Sequence, residues 1–248
     1  MYNFFVDESA RTGDRFRIGG KDHNHICNVL RMQAGDTFLV SCAGASSLCR
    51  LDYIEDGAVI AEIVEENYQS TELPVRFYLF QGLLKGDKFE LIIQKAVELG
   101  AAGIIPVEMK HCVMKLDEKK KKSRRERWQA IAESAAKQSK RNVIPEVEDV
   151  ITYKQAMAKA AEMDLFLVPY ENERGMAETR EALSRIKAGM SVGILIGPEG
   201  GFDNKEIALA RETGAAVISL GKRILRAETA AVTAVGMCML HTEMELEG

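Results

Sequence analysis

Two patterns of apolar spacing divide the chain. Up to about Tyr68 the apolar residues fall in short branched or aromatic runs, Phe4 to Val6, Arg15 to Ile18, Thr37 to Ser41, Leu48 to Ile54 and Val59 to Val64, separated by Gly, Asn, Asp and Ser. Such runs predict strands. Ala43 to Ser47 reads as a hairpin loop, and His23 to Arg31 as a helical turn with Ile26, Val29 and Leu30 on one face. The expected result is a small β-barrel module over residues 1–70. Asn67 to Pro74, polar up to its proline, reads as a linker.

Beyond it, strand and helix patterns alternate over residues 75–248, the mark of an α/β domain with a parallel sheet. Strands are expected at Val75 to Gln81, Ile104 to Val107, Glu146 to Val150 and Leu165 to Val168. Helices are expected at Asp87 to Leu99, stopped by Gly100, at about Arg124 to Lys140, burying Trp128, Ile131 and Ala135, and at Tyr153 to Ala161.

The pattern is densest in the last sixty residues. Val192 to Ile196 and Ala216 to Leu220 are continuous apolar runs, as in strands buried on both faces. Each leads into a glycine-bearing turn, Gly197-Pro198-Glu199-Gly200-Gly201 and Gly221 to Leu225, and each turn opens onto a helix. Asp203 and Glu206 form a capping box for the first helix, and the second begins near Glu228 and Thr229 and runs to about Leu240. In open α/β sheets a ligand sits beyond the carboxyl ends of the strands, where both turns fall. Two helix starts would then point amide donors into one crevice. Neither turn has the Gly-x-Gly-x-x-Gly or Gly-Lys-Ser/Thr pattern of the common nucleotide cradles.

Charge changes this picture in one place. The net charge of −4 hides a basic segment from Lys110 to Arg141, with twelve Lys or Arg against four Asp or Glu, a balance of +8 that leaves −12 for the remainder. A lone lysine run such as Lys119 to Lys122 fits a solvated helix face or a loose loop better, but here the run continues through Arg124, Arg125, Arg127, Lys137, Lys140 and Arg141 around Trp128, which fits a phosphate-binding surface. Five scattered cysteines, none in Cys-x-x-Cys spacing, indicate neither a disulfide framework nor a zinc site. His23 and His25 have no evident third ligand, so no metal is expected. No stretch is long and apolar enough for a membrane span, and no signal-peptide pattern opens the chain, so a cytoplasmic location with no membrane partner is expected.

Leu195 to Gly201 followed by Leu225-Arg226-Ala227-Glu228-Thr229-Ala230 resembles the RsmE family of 16S ribosomal RNA uridine-N3 methyltransferases, within the SPOUT or trefoil-knot superfamily. Leu91 to Gly100, Gln138 to Asn142 with Pro145-Glu146, and His25-Ile26 with Val29 to Met32 agree, so the likeness spans nearly the whole chain. The resemblance implies a PUA-like N-terminal domain, a parallel-sheet SPOUT domain with a C-terminal trefoil knot, and a homodimer acting on 16S ribosomal RNA or the small ribosomal subunit. It implies S-adenosyl-L-methionine as cofactor, held by Gly197, Pro198, Glu199, Gly200, Leu220, Gly221, Ile224, Leu225, Arg226, Thr229 and Ala230. Gln94, Lys95 and Glu98, on one helical face, would line the site, although Lys95 and Glu98 also suit a plain helix ion pair. Candidates for handling the imide proton of uracil are Arg141, Glu199 and Glu228, with Arg141 foremost because an arginine stays charged and suits anion stabilisation. Arg11, Arg15, Arg31, Lys119, Lys120, Arg124 and Arg141 are the expected RNA contacts. A related SPOUT enzyme acting on ribose or transfer RNA, and a non-catalytic RNA-binding protein with a vestigial pocket, stay open at this point.

Overall fold

The computed structural model describes residues 1–55 and 57–246, so the last two residues of the 75–248 module lie outside the described ones. Two compact units emerge, residues 1–72 with 136–144, and residues 73–135 with 145–248. The first unit thus takes in a segment from the middle of the chain.

In the first unit, β1 (Asn3–Val6), β2 (Arg11–Thr12), β3 (Arg15–Gly19), β4 (Thr37–Cys42), β5 (Ala45–Glu55) and β6 (Ala58–Glu65) form a sheet in the order β1-β4-β5-β6-β3-β2. Only β1 and β4 run parallel. Alternation does the folding: in β3, Arg15 and Arg17 face out while Phe16 and Ile18 are each 1% exposed. Those two join Phe4, Ile26, Phe38, Val40, Leu51 and Val59 in one core, with Phe4 and Phe38 edge to face at 5.4 Å. Two register irregularities in the β5–β6 ladder bend the sheet. Among the described residues β1 and β2 do not pair, so the expected barrel is an open sheet. The helical turn α1 (Gly20–Asn24) continues over His25–Val29 and buries Ile26, but Val29 faces solvent, contrary to the helical-face reading.

The second unit contains β7 (Arg76–Gly82), α2 (Lys88–Glu98), β8 (Gly103–Glu108), α3 (Glu118–Ser139), whose last turn lies in the first unit, β9 (Glu146–Val147) and β10 (Ile151–Thr152). Then come α4 (Tyr153–Ala160), β11 (Leu165–Pro169), α5 (Ala177–Ser184), β12 (Ser191–Ile196), α6 (Asn204–Glu212), β13 (Ala216–Ile218) and α7 (Ala227–Leu246). The sheet runs β10-β8-β7-β12-β11-β13, with β9 also on β8, and every pair is parallel. Of the strand expected at Glu146 to Val150 only Glu146–Val147 forms, and a second short strand follows at Ile151–Thr152. α3 begins six residues earlier than expected, so the lysine run is helical, and α5 is a helix the sequence pattern did not give. Trp128 of α3 packs on Phe89 of α2 at 4.4 Å between ring centres. α7 returns from the β13 edge to pack on α2, β7 and β12, burying the small residues Ala231, Ala234 and Cys238. Among the described residues no helix is long and apolar enough to cross a membrane.

The cysteine thiols are free. Burial pushes Cys49 and Cys238 up to about 12 and raises Cys112, which suits small core residues rather than nucleophiles.

Candidate active site

The order in which strands are added to the sheet reverses at β11. From it, the path goes first to β12 on one side and then to β13 on the other, and a crevice opens beyond the carboxyl ends of these strands. There a cavity of about 420 Å³ is lined by Pro169 to Glu171, by Ile196 to Phe202 after β12, and by Leu220 and Gly221 with Arg223 to Glu228 leading into α7. Its size is that of ordinary small-molecule sites.

The first turn is held by contacts that only small residues permit. A Cβ on Gly82, at the end of β7, would sit 2.7 Å from Pro198 N and 3.0 Å from Gly197 C, so β7 touches the turn backbone directly. Beside it the buried amide of Gln81 donates from Nε2 to the carbonyls of Gly82 (3.0 Å) and Gly197 (3.5 Å). On the far side His111 Nδ1 lies 3.1 Å from the Gly200 carbonyl oxygen, and a Cβ on Gly200 would meet His111 Cβ at 2.8 Å. Gly201 adopts a φ of 67°, in the left-handed region. The second turn hangs from α5: the buried hydroxyl of Thr179 donates to the Ser219 carbonyl (2.8 Å) and accepts the Ser219 N–H (3.1 Å). Gly221 follows with a φ of 109°, its N–H donating to Ser219 Oγ.

Of the residues expected to bind a cofactor, Gly197, Pro198, Glu199, Gly200, Leu220, Gly221, Ile224, Leu225, Arg226 and Ala230 line this cavity. Thr229 does not; it is an exposed residue in the first turn of α7. The expectation that two helix starts point donors inward also needs correction. At the start of α6 the Asp203 carboxylate accepts the Lys205 N–H, and Glu206 accepts the N–H groups of Asp203 and Lys110. That helix end satisfies itself, leaving the turns and the start of α7 as the cavity's backbone donors. The Lys110 ammonium, then the Lys205 N–H, hold the Asp203 carboxyl below its usual range. The cap therefore stays ionised at any pH above that range and is lost only in acid.

Three charged groups meet in the cavity wall. Lys88 Nζ, in the first turn of α2, lies 3.7 Å from Glu199 Oε1 and 3.9 Å from Glu228 Oε2. Glu199 Oε1 also accepts the Lys85 N–H at 3.1 Å, tying the first turn to the loop before α2. Glu228 Oε2 is buried with no hydrogen-bond partner among the described residues. Sequence reading missed Lys88, Tyr170, Glu171 and Gly82. Lys88 lies more than a hundred residues from the carboxylates it faces, so no local spacing pointed to it.

Arg141 belongs to the first unit. This residue, 3% exposed, donates from Nε to both oxygens of Glu72 (2.8 and 3.0 Å), and its carbonyl accepts Asn3 Nδ2. The guanidinium expected to face a substrate thus has a carboxylate partner in its own unit. Gln94, Lys95 and Glu98 do not line the cavity, and Lys95 pairs with Glu98 at 2.8 Å. Among the expected RNA contacts, Arg11 pairs with Glu66, Arg15 with Asp52, Lys120 with Asp117 and Arg124 with Glu90, whereas Lys119 and Arg31 are exposed, Arg31 with a φ of 54°.

Comparison with known proteins agrees with the geometry. Residues 71–239 match the model of the RNA methyltransferase domain family. The chain is 36% identical to ribosomal RNA small subunit methyltransferase E of Bacillus subtilis, with 98% of each chain covered. It is 35% identical to the protein of the same name from Mesomycoplasma hyopneumoniae, over 96% of this chain and 99% of that one. The crystal structure of a ribosomal RNA small subunit methyltransferase E from Neisseria gonorrhoeae bound to S-adenosyl methionine matches with a TM-score of 0.82 at 30% identity, covering 97% of both chains. With a parallel sheet whose two glycine turns enclose one cleft and relatives matched from end to end, this chain belongs to the ribosomal RNA small subunit methyltransferase E family.

Proposed function

We propose that the cleft holds S-adenosylmethionine and that the protein methylates N3 of a uridine in 16S ribosomal RNA. The observation that carries the reading is the cleft itself. Apolar Ile196, Leu220, Ile224 and Leu225 suit a flat base, backbone polar groups of both glycine turns suit the sugar and amino-acid polar atoms, and the unpartnered Glu228 oxygen accepts from a donor. Membership of the family, whose Neisseria gonorrhoeae representative binds S-adenosyl methionine, supports the same ligand.

When bound, the cofactor supplies a methyl group on a sulfonium, which departs leaving its bond pair on sulfur. Everything else falls to the chain: aiming the acceptor, excluding water and taking one proton. Of the candidate groups, Glu199 is engaged in bridging two loops, Arg141 is engaged by Glu72, and Glu228 keeps a free acceptor atom. Glu228 is the carboxylate we assign to the N3 proton.

The first unit is read as a PUA-like RNA-binding module, its outward Arg11, Arg15 and Arg31 contributing phosphate contacts. The return of α7 across the sheet is read as the closure of a trefoil knot. The exposed Leu240 and Met244 on α7, 52% and 68% exposed, favour a homodimer. A cytoplasmic protein acting on the small subunit or its RNA completes the proposal.

Isothermal calorimetry tests the cofactor assignment. S-adenosylmethionine is expected to bind the folded protein without added metal, and absence of heat with both the cofactor and its demethylated product would overturn it. The α3 surface carries a separate expectation. From Lys119 to Arg127, Lys119 and Lys122 are the basic side chains without an ion pair among the described residues. Neutralising Lys119 to Lys122 should lower the slope of log affinity for RNA against log salt by about two to four, roughly one for each phosphate no longer neutralised, with cofactor affinity unchanged. An unaltered slope would make this run a solvated face.

A further inference from the structure

Lys88 and Glu228 leave each other unsatisfied. The two charged atoms lie 3.9 Å apart, beyond hydrogen-bond reach, and Glu199 is no nearer than 3.7 Å. Among the described residues the Lys88 ammonium donates no hydrogen bond, and the buried Glu228 Oε2 accepts none. A donor cation and an acceptor anion thus face one cavity side by side. The Lys88 side chain is 40% exposed and its ammonium reaches water, whereas a buried acceptor such as Glu228 Oε2 is rarely left unmatched in native structures unless a ligand or water matches it.

The complement of this pair is an imide edge, in which an N–H donor lies next to a carbonyl acceptor. Resting on the uridine-N3 reading above, we propose that Lys88 is a catalytic residue that donates to a uracil carbonyl and stabilises the imide anion as Glu228 takes the N3 proton. The N3–H bond breaks, its electron pair stays on N3 shared with the flanking carbonyl oxygens, and the proton passes to Glu228 Oε2. An imide is a much weaker acid than a carboxylic acid, so this transfer runs uphill unless the anion is stabilised as it forms. An ammonium held near two carboxylates at the cavity wall supplies that stabilisation. It also fills the role that the sequence assigned to Arg141, whose guanidinium is engaged by Glu72.

The test compares wild type with Lys88→Met and Lys88→Arg in single-turnover methylation, at saturating cofactor and RNA, from pH 7 to 9. Lys88→Met should be slower on the order of a hundredfold at pH 7. The gap should narrow as pH rises and solvent ionises the imide, and Lys88→Arg should recover part of the rate. A deficit independent of pH and matched by weakened cofactor affinity would reduce Lys88 to a structural support and overturn the proposal, as would a wild-type rate. A binding readout covers the case in which Lys88→Met does not hold cofactor. Wild-type protein should prefer RNA carrying 5-fluorouridine, a stronger imide acid, over the uridine RNA at pH 7, with the preference shrinking as pH rises and the free imide loses to solvent the proton that Glu228 must hold, and absence of that preference at pH 7 also overturns the proposal. The underlying reading fails differently, by a wild-type product methylated at an atom other than N3.

Discussion

Gly82→Val weakens S-adenosylmethionine binding by about a hundredfold, the effect of roughly 3 kcal/mol of overpacking against a contact that cannot yield. The added Cβ would sit 2.7 Å from Pro198 N and 2.9 Å from Pro198 Cδ. These belong to a turn already fixed by β12, which pairs with β7 up to Ile196 and Gln81. No rotamer change relieves a clash with backbone, so either the turn moves out of register with the second turn or β7 shifts. Gly82 does not have a positive φ, so the substitution itself is not strained, and the loss reads the close approach alone. Gly236→Ala in α7 is the control. Its Cβ would stand 3.8 Å from Leu99, an ordinary contact, and alanine favours a helix by about 1 kcal/mol. That variant should bind cofactor normally and unfold at slightly higher denaturant. Equal cofactor affinity for Gly82→Val and wild type, measured by calorimetry, would place the ligand away from the first turn.

Arg141→Ala destabilises the protein by about 3 kcal/mol, because it removes the buried cation from its pair with the partly buried Glu72, whose carboxylate is left without a counter-charge. Glu72 accepts from Arg141 Nε and also from the N–H of Asn142 (2.8 Å), and the adjacent Thr71 hydroxyl donates to the Lys140 carbonyl (2.9 Å). The ion pair is therefore the centre of a small network joining residues 71–72 to residues 140–142. Removing both partners should cost less than removing either, and a double-mutant cycle over Arg141→Ala and Glu72→Ala should give a coupling energy of about 2 kcal/mol or more. Arg141→Lys should recover only part, since an ammonium cannot reproduce the two-pronged contact. Hydrogen exchange locates the effect: amides of β1 and β4 should lose protection before those of β7 and β12. Additive effects of the two substitutions would remove the pair as a source of stability.

How much of this was legible in the sequence follows from the range of the interactions. Asp203 and Glu206 gave the start of α6 because a capping box is complete within four residues, and both halves of it are present. The buried runs of β7, β11 and β12 and the two turns were legible for a similar reason, a continuous apolar run next to glycine. α5 was not, since it buries only Thr179 and Ala182 and shows a weak apolar stripe. Yet α5 carries the threonine that anchors the second turn. Val29 followed helical spacing and still faces solvent, since the turn after His25 is wider than an α-helix and rotates the later residues. The partners of Arg141 and Lys88 were not legible because partner choice for a cation depends on residues 69 and more than a hundred positions away. In the sequence Arg141 stood in a cluster of hydrogen-bonding groups, and nothing local marked Glu72 as its partner. Lys88 looked like a helix-start residue among others, and only the fold sets it between Glu199 and Glu228.

The measurement closest to the central claim is product analysis on ribosomal RNA. Small subunits from a strain lacking this protein, incubated with the purified protein and S-adenosylmethionine carrying a labelled methyl group, are digested to nucleosides and resolved by mass spectrometry. One labelled nucleoside, 3-methyluridine, is expected, arising from a single site in 16S RNA and absent when Glu228→Gln protein is used. Label on ribose, label on another base, or no transfer by folded protein that binds the cofactor would contradict it.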